Sequence, residues 1–309
     1  MKFGKTGAPG GDDQSRGDDR ADPTDGIVLL SYASLKIEFR NMLHAYWGLN
    51  RLPFAVDGVP PLFHEGEPQV EALARLRYAV DNRLQATLVF GDRGAGKSTL
   101  LEKFARQCRQ RGVETARLNL AGISRREALW LAACQLAINP RGDDDAMRIM
   151  ERFAHRAAAA ELLQTHAVLL VDDVDLGGPD VLTQLRRVAQ LGGANSRWLT
   201  LVLAVDAAAV DRLDRAIFDV SELTVDVDAW EEPDAVEYVQ LAMFEAGCEQ
   251  PVFEEHALSI LYTLSGGLPR EVNRLANYAL LGAAAEGRRS IDAGVIESAC
   301  DALKPKAQI

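Results

Sequence analysis

A short stretch in the first third of the chain combines glycines with a lysine and a hydroxyl residue at a strict spacing. The residues that fit the pattern G-x-x-x-x-G-K-[S/T], with one further glycine inside it, are Gly91, Gly94, Gly96, Lys97 and Ser98. Glycines let the backbone turn tightly and point N–H groups at phosphate oxygens, and the positive end of a following helix adds to this attraction. The spacing therefore predicts a phosphate-binding loop. The apolar stretch 85–90 before it and the helical pattern 99–110 after it argue against a chance Lys-Ser turn.

We expect the whole loop to contact the phosphates of a nucleotide such as ATP. The expected contact residues are Gly91, Asp92, Arg93, Gly94, Ala95, Gly96, Lys97, Ser98 and Thr99. The ammonium group of Lys97 would reach the β- and γ-phosphates and support catalysis, and the hydroxyl of Ser98 would bind Mg²⁺.

Two adjacent carboxylates follow a continuous apolar stretch about 75 residues after the loop. Asp172 and Asp173 come directly after residues 167–171, which have the length and composition of a buried strand. Asp172 would lie beside Mg²⁺ at the end of this strand. Asp173 would orient or deprotonate the attacking water. Two acids that cap a turn are the alternative, but the loop upstream makes a Mg²⁺–nucleotide site the better prediction.

The overall charge argues against a general attraction to nucleic acid or to anionic membranes. The chain has 309 residues, with 34 Lys and Arg against 45 Asp and Glu, and its formal net charge is −11. This charge creates no positive field over the whole molecule, although it leaves a local basic patch open. The cysteines and histidines are scattered without ligand spacing, so we expect no zinc site.

Neither a membrane span nor a secretion signal is visible in the sequence. No apolar run reaches the roughly 18 residues that a spanning helix needs, and the first residues lack the apolar core of a signal peptide. We therefore expect a cytoplasmic protein.

Composition and periodicity divide the chain into three parts. Residues 1–26 are rich in Gly and Asp, with few large apolar side chains, and predict a disordered tail. Residues 27–229 alternate helical patterns with short apolar strands, which is typical of an α/β domain with a parallel sheet buried on both faces. The strand patterns cover residues 85–90, 115–120, 167–171, 199–205 and 223–227. Residues 230–309 contain only helical patterns and predict a small all-helical lid domain.

Four motifs follow one another in an order that is typical of a known family. They are Trp47-Gly-Leu-x-x-x-Pro53-Phe54, GDRGAGKST at 91–99, LLVDD at 169–173, and Ser265-Gly-Gly-Leu-Pro-Arg270-Glu-Val-Asn273. Over about residues 46–300 the chain resembles the AAA+ ATPases of the ExeA type, also called general secretion pathway protein A. The resemblance implies a P-loop NTPase fold of the AAA+ type, with a three-layer parallel sheet followed by a helical lid.

The resemblance also implies roles for residues outside the loop. Leu49, Pro53 and Phe54 would help to enclose the adenine base. Arg270 would reach the nucleotide phosphates and couple the position of the lid to the nucleotide state. Considered without the resemblance, the aromatic segment 46–54 is better interpreted as a hydrophobic plug that packs the entry loop against the core.

The chain departs from the family pattern at several positions. Asp173 replaces the usual glutamate after the apolar strand, and Asp206 stands where a Gln or Asn is expected to contact the γ-phosphate. A carboxylate that faces a phosphate is unfavourable unless it is paired or protonated. Only Arg212 and Arg215 remain of an arginine-rich stretch that would supply an arginine finger. Family members often continue into a membrane segment and a peptidoglycan-binding domain, whereas this sequence ends at Ile309.

Three functional hypotheses follow. The leading one is an AAA+ ATPase that hydrolyses ATP with Mg²⁺ and drives a conformational change in a protein partner or in an ATP-dependent homo-oligomer. The second is a nucleotide-dependent switch or scaffold with little or no hydrolysis, motivated by Asp173, Asp206 and the sparse arginines. The third is a DNA-associated helper ATPase of transposition, against which the acidic composition counts. A small-molecule kinase ranks below these, because a lid that carries Arg270 suits the AAA+ fold better than a phosphate-acceptor pocket.

Overall fold

A computed structural model describes residues 42–54, 62–192, 197–213 and 215–304 of the chain. The predicted disordered tail, residues 1–26, lies outside these ranges. The helices and strands are, in chain order, α1 (residues 42–47), α2 (Glu67–Asp81), β1 (Ala86–Gly91), α3 (Lys97–Gln110), β2 (Glu114–Asn119), α4 (Arg125–Gln135), α5 (Ala146–Leu163), β3 (Ala167–Asp172), α6 (Pro179–Ala189), β4 (Leu199–Asp206), α7 (Arg215–Phe218), β5 (Ser221–Asp226), α8 (Glu232–Glu245), α9 (Glu255–Ser265), α10 (Pro269–Ala285) and α11 (Ala293–Leu303). Two 3-10 helices, Val174–Leu176 and Ala207–Arg212, follow β3 and β4.

The five strands form one parallel sheet in the order β2-β3-β4-β1-β5. Side chains alternate between the faces of a strand, and β3 uses both faces for the core. Leu169 and Val171 pack in a cluster with α4, α5 and α6, whereas Val168 and Leu170 pack in a cluster with α2 and α3. A strand buried on both faces needs a continuous apolar sequence, which explains the pattern at residues 167–171. The predicted α/β fold with a three-layer parallel sheet is confirmed.

Local sequence signals start several of the helices around the sheet. Ser124 and Glu127 form a reciprocal capping box at the start of α4. The carboxylate of Asp145 accepts a hydrogen bond from the backbone N–H of Arg148 and caps α5. Proline stands in the first turn of α10, where its missing N–H costs nothing.

The last four helices, α8 to α11, share a hydrophobic cluster of their own. The aromatic segment 46–54 packs in this cluster, far along the sequence from its partners. The indole N–H of Trp47 donates a 3.1 Å hydrogen bond to the carbonyl of Leu280 in α10, and Phe54 is only 1% exposed. The segment that precedes the sheet in sequence is therefore part of the helical core.

The region after β4 differs from the predicted pattern. The segment between β4 and β5, which contains alanines and arginines typical of a short helix, forms a 3-10 helix to Arg212 and then the four-residue helix α7. The last strand, β5, begins two residues before the predicted range and ends at Asp226. Among the helices of the described ranges, none combines the length and the apolar character that would be needed to cross a membrane.

Candidate functional site

The predicted phosphate-binding loop connects β1 to α3 at the carboxyl edge of the sheet. Gly94 and Gly96 have φ angles of 99° and 100°, a region that favours glycine strongly. Gly91 is required for a different reason, since a β-carbon at this position would lie 2.6 Å from the carbonyl oxygen of Val227. Of the other predicted contact residues, Asp92 and Arg93 are exposed, whereas Ala95 is buried. Thr99 is half-buried in the first turn of α3.

Lys97 is the first residue of α3, and its side chain folds back over the loop. Its Nζ donates hydrogen bonds to the carbonyl oxygens of Gly91, at 2.7 Å, and of Asp92, at 3.0 Å. Burial lowers the pKa of Lys97, while neighbouring carboxylates oppose this shift. In decreasing order of effect, these carboxylates belong to Asp206, Asp172, Asp175 and Asp173. One partly buried ammonium thus lies in the field of four aspartates.

The two residues predicted to bind Mg²⁺ lie near each other. The carboxylate of Asp172 is 7% exposed at the end of β3. Burial raises the pKa of Asp172, and the nearby hydroxyl of Ser98 partly opposes this effect. A hydroxyl oxygen and a carboxylate oxygen side by side suit Mg²⁺, which binds one or two protein groups together with phosphates and water. Within the described ranges, no group of three or more His, Cys, Asp or Glu residues could bind a metal without such a nucleotide.

Asp173 has a backbone conformation and a partner that the sequence did not reveal. Its φ and ψ angles of 50° and 46° lie in the left-handed region, which turns the chain sharply after β3. The side-chain amide Nδ2 of Asn119 donates a 2.7 Å hydrogen bond to Oδ2 of Asp173. Asn119 ends β2 and pairs laterally with Asp172 in the sheet. A polar residue at the end of a predicted strand is the signal that could have identified Asn119.

Asp206 ends β4 next to the loop. In the register of the parallel pair β1 and β4, Asp206 lies opposite Gly91. Its Oδ1 accepts a 3.1 Å hydrogen bond from the backbone N–H of Ala208 and caps the following 3-10 helix. Its own backbone N–H donates to Oδ1 of Asp175 at 3.1 Å. The carboxylate that stands in place of the expected Gln or Asn is therefore fixed locally and lies in the field of Lys97.

The first turn of α10 lies directly on the phosphate-binding loop. The backbone N–H of Arg270 donates a 3.2 Å hydrogen bond to the carbonyl of Gly94, and a β-carbon at Gly94 would lie 3.1 Å from Cβ of Arg270. The side chain of Arg270 is exposed. Asn273 anchors this turn, because it donates to the carbonyl of Pro269 at 2.7 Å and accepts from the hydroxyl of Tyr238 at 2.6 Å. Arg270, the arginine predicted for the lid, thus contacts the loop through its backbone.

The residues that the family resemblance assigned to the adenine pocket lie in the core of the helical region. Leu49 and Phe54 are more than nine-tenths buried, and Pro53 is buried beside them. The ring of Phe54 has its centroid 6.1 Å from that of Tyr238 and 6.4 Å from that of Phe253. This packing agrees with the interpretation as a hydrophobic plug. Contact between these residues and a base stays a prediction.

Three polar groups near the junction of the sheet and the helical region have no hydrogen-bond partner among the described residues. They are Nε2 of His64, Oε1 of Gln69 and Nε1 of Trp230, and each residue is more than nine-tenths buried. The rings of His64 and Trp230 meet edge to face at 5.4 Å, and His64 Nε2 lies 3.8 Å from Oδ1 of Asp234. The sequence contained no signal for this cluster.

A separate open cleft of about 370 Å³ lies along α4 and contains none of the predicted site residues. Its lining residues are Ile123, Arg126, Glu127, Trp130, Leu131 and Gly142. The chemistry predicted from the sequence is concentrated instead at the carboxyl edge of the sheet, where parallel α/β proteins bind their ligands.

Comparison with known proteins identifies a family model and a curated relative that resemble this chain. A family model described as an AAA domain matches residues 81–213, which include the loop, Asp172, Asp173 and Asp206. The chain is also 28% identical over 265 residues to General secretion pathway protein A of Aeromonas hydrophila. The chain is therefore similar to General secretion pathway protein A, and residues 81–213 resemble an AAA domain. The match covers 84% of the chain and 48% of the relative, so the chain spans about half the length of the curated relative that it matches.

Solved structures share the fold of this chain at low sequence identity. The ORC2 protein of Aeropyrum pernix, in ADPNP and ADP complexes, has a TM-score of 0.61 and 16% identity, and the match covers 84% of this chain and 72% of that one. The Drosophila ORC bound to DNA has a TM-score of 0.66 and 16% identity, over 97% of this chain and 72% of that one. The P-loop NTPase fold and the resemblance to the ExeA type are both confirmed.

Proposed function

We propose that this chain binds ATP with Mg²⁺ between the sheet and the helical lid, hydrolyses it, and transmits the change to a protein partner. The observation that carries the proposal is the convergence of four groups at the carboxyl edge of the sheet. The ammonium of Lys97, the Ser98–Asp172 pair, the carboxylate of Asp173 and the first turn of α10 all lie around one loop. The division into an α/β domain at residues 27–229 and a lid at 230–309 is part of the proposal, except that the segment 46–54 packs in the hydrophobic cluster of the lid helices.

Binding would use the loop as a cradle for the phosphates. The backbone N–H groups at the start of α3 carry the positive end of the helix dipole, and Lys97 adds a full positive charge. Lys97 bonds to carbonyls of its own loop and is surrounded by aspartates. We infer that a polyphosphate replaces the two carbonyls as the acceptor of these hydrogen bonds. Mg²⁺ would neutralise phosphate charge while Ser98 and Asp172 hold it.

His64, Gln69 and Trp230 each have a buried polar atom without a hydrogen-bond partner among the described residues. Because such atoms are costly to bury, these three residues are candidates for hydrogen bonds to the edge of the base. Hydrolysis would use Asp173 as the base that accepts a proton from water. The hydrogen bond from Asn119 would hold its carboxylate in one orientation.

Transmission would use the direct contact between the loop and the lid helix. Because Arg270 bonds to Gly94 through its backbone, a phosphate that shifts the loop also shifts the start of α10. The buried hydrogen bond between Tyr238 and Asn273 connects this turn to α8, so the movement reaches the rest of the helical cluster.

The partner that receives this movement would be a protein, or further copies of the chain in an ATP-dependent assembly. In such an assembly Arg215, which is exposed at the start of α7, is a candidate arginine finger.

A switch with little or no hydrolysis is the second candidate function. It is favoured by two observations, since Asp173 is one methylene shorter than the usual glutamate and Asp206 places a negative charge beside Lys97. A DNA-associated role ranks below both. The Drosophila ORC structure is bound to DNA, but this chain has a formal net charge of −11.

One experiment separates the two leading functions. ATP turnover and particle mass would be measured on the purified chain, with and without ATP and Mg²⁺. Turnover that disappears in Asp173→Asn supports the ATPase. Tight ATP binding without turnover above background, at concentrations that allow assembly, would reject the ATPase and retain the switch. A chain that binds no nucleotide would overturn both.

A further inference from the structure

We propose that Asp206 is a specificity-determining residue that weakens the binding of a nucleoside triphosphate relative to the corresponding diphosphate. The inference rests on the proposed function, since it concerns the same phosphate-binding loop. It predicts that the carboxylate at the end of β4 selects between nucleotides by their number of phosphates.

The position of Asp206 brings its charge to the loop. Neighbouring strands of a sheet lie about 4.8 Å apart, and Asp206 is the direct lateral neighbour of Gly91. The Nζ of Lys97 lies 2.7 Å from the carbonyl oxygen of that same Gly91. The carboxylate and the ammonium therefore belong to one small region at the ends of β1 and β4. In agreement with this placement, Asp206 is the carboxylate that acts most strongly on Lys97.

The carboxylate of Asp206 is also held in place. Oδ1 of Asp206 accepts a hydrogen bond from the backbone N–H of Ala208. The backbone N–H of Asp206 donates a hydrogen bond to the carboxylate of Asp175. Rotating the side chain away from the loop would break the cap of the 3-10 helix that begins at Ala207. A bound nucleotide consequently meets a fixed negative charge where an uncharged Gln or Asn would donate a hydrogen bond.

The effect of this charge depends on the number of phosphates. A lysine in this position reaches the β- and γ-phosphates, so the terminal phosphate of a triphosphate lies in the region that Lys97 and Asp206 share. A diphosphate has one phosphate fewer in this region and carries less negative charge. Repulsion from Asp206 falls off with distance and therefore acts mainly on the third phosphate. Removing the charge of Asp206 should therefore strengthen the binding of the triphosphate more than that of the diphosphate.

The matched variants are Asp206→Asn and Asp211→Asn in the full chain. Asparagine caps helices as well as aspartate does, so Asp206→Asn removes the charge while it keeps the bond to Ala208. Asp211 is an exposed aspartate in the same 3-10 helix and controls for a general change of charge. Equal thermal unfolding midpoints of the variants and the wild type would establish that the fold is retained.

The experiment measures the dissociation constants of ADP and of a non-hydrolysable ATP analogue by calorimetry at fixed Mg²⁺ and salt. We expect Asp206→Asn to lower the ratio of the triphosphate constant to the diphosphate constant roughly tenfold, while Asp211→Asn leaves it unchanged. An unchanged ratio in Asp206→Asn, with ADP still bound, would overturn this inference alone. A wild-type chain that binds neither nucleotide would overturn the inference and the proposed function together.

Discussion

The side-chain amide of Asn119 donates a 2.7 Å hydrogen bond to Oδ2 of Asp173. The two residues end neighbouring strands, since Asn119 is the last residue of β2 and Asp173 follows the last residue of β3. The bond orients the carboxylate that we propose as the general base. It also occupies one of the oxygens that would accept a proton from water.

The first prediction concerns Asp173. We expect Asp173→Asn to lower ATP turnover by roughly 10²-fold to 10⁴-fold, the usual range for a general base, while the dissociation constant of ATP changes little. Asn119→Ala should also lower turnover without a change in ATP affinity, because it frees the carboxylate to adopt other orientations. Steady-state kinetics and calorimetry on both variants test this. Equal turnover in Asp173→Asn and wild type would remove Asp173 from the mechanism.

The second prediction separates the metal ligands from the phosphate ligands. Ser98→Ala and Asp172→Asn should weaken nucleotide binding much more in the presence of Mg²⁺ than in EDTA, since only the metal depends on these oxygens. Because burial raises the pKa of Asp172, its carboxylate takes up a proton at higher pH than an exposed aspartate. The Mg²⁺-dependent part of binding should therefore weaken first as pH falls. The same loss with and without Mg²⁺ would contradict the assignment.

Asp172→Asn should at the same time stabilise the free chain at neutral pH. The folded pKa of Asp172 is raised, so its ionised form is disfavoured by folding, and the contribution of this group is favourable only below its unfolded pKa. A neutral amide removes this penalty. Thermal unfolding without nucleotide should give a higher midpoint for Asp172→Asn than for the wild type. The difference should shrink in acidic buffer.

The third prediction is that Lys97→Ala abolishes nucleotide binding but leaves the fold intact. The variant loses the ammonium that offsets four aspartates, so phosphate would meet a strongly negative site. Within the part of the chain that the structure describes, the hydrogen bonds of this side chain go to the loop carbonyls of Gly91 and Asp92, so its loss should leave the helix and strand core unchanged. Calorimetry with ATP and a thermal melt measure the two properties. Micromolar ATP binding by Lys97→Ala would contradict the role of the loop.

The fourth prediction concerns the lid. ATP should increase the protection of residues 269–277 from hydrogen exchange in the wild type, and Arg270→Ala should lose this increase. The basal contact should survive in Arg270→Ala, because the bond to Gly94 uses the backbone N–H. Arg274→Ala, which removes another exposed arginine of the same helix, is the matched control. If ATP leaves protection unchanged in the wild type, the lid does not respond to nucleotide.

The fifth prediction tests the two interpretations of Phe54. Since Phe54 is 1% exposed, Phe54→Ala should destabilise the fold by about 3 to 5 kcal/mol, which is typical of buried phenylalanines. Phe54→Leu restores most of the apolar volume without the ring. If Phe54 only fills the core, Phe54→Leu should bind ATP with the affinity of the wild type. A large loss of ATP affinity in a well-folded Phe54→Leu would instead place Phe54 at the base.

Features that depend on near neighbours in sequence could be predicted without the structure. Gly94 and Gly96 are required by the local backbone of the loop, the capping box at Ser124 spans four residues, and the apolar run of β3 follows from burial on two faces. Each of these is a preference of a short segment, so its sequence pattern contains the information.

The relationships that define the site were decided by tertiary structure. Asn119 meets Asp173 because β2 pairs with β3, Asp206 lies beside Gly91 because β4 pairs with β1, and Arg270 reaches Gly94 because the last helices fold back onto the sheet. The aromatic segment before the sheet packs with these helices instead of the strands that follow it. Strand order and helix docking depend on the summed burial of many distant side chains. A local sequence pattern does not determine strand order or helix docking. The aspartates that surround Lys97 could therefore be identified only from the folded structure.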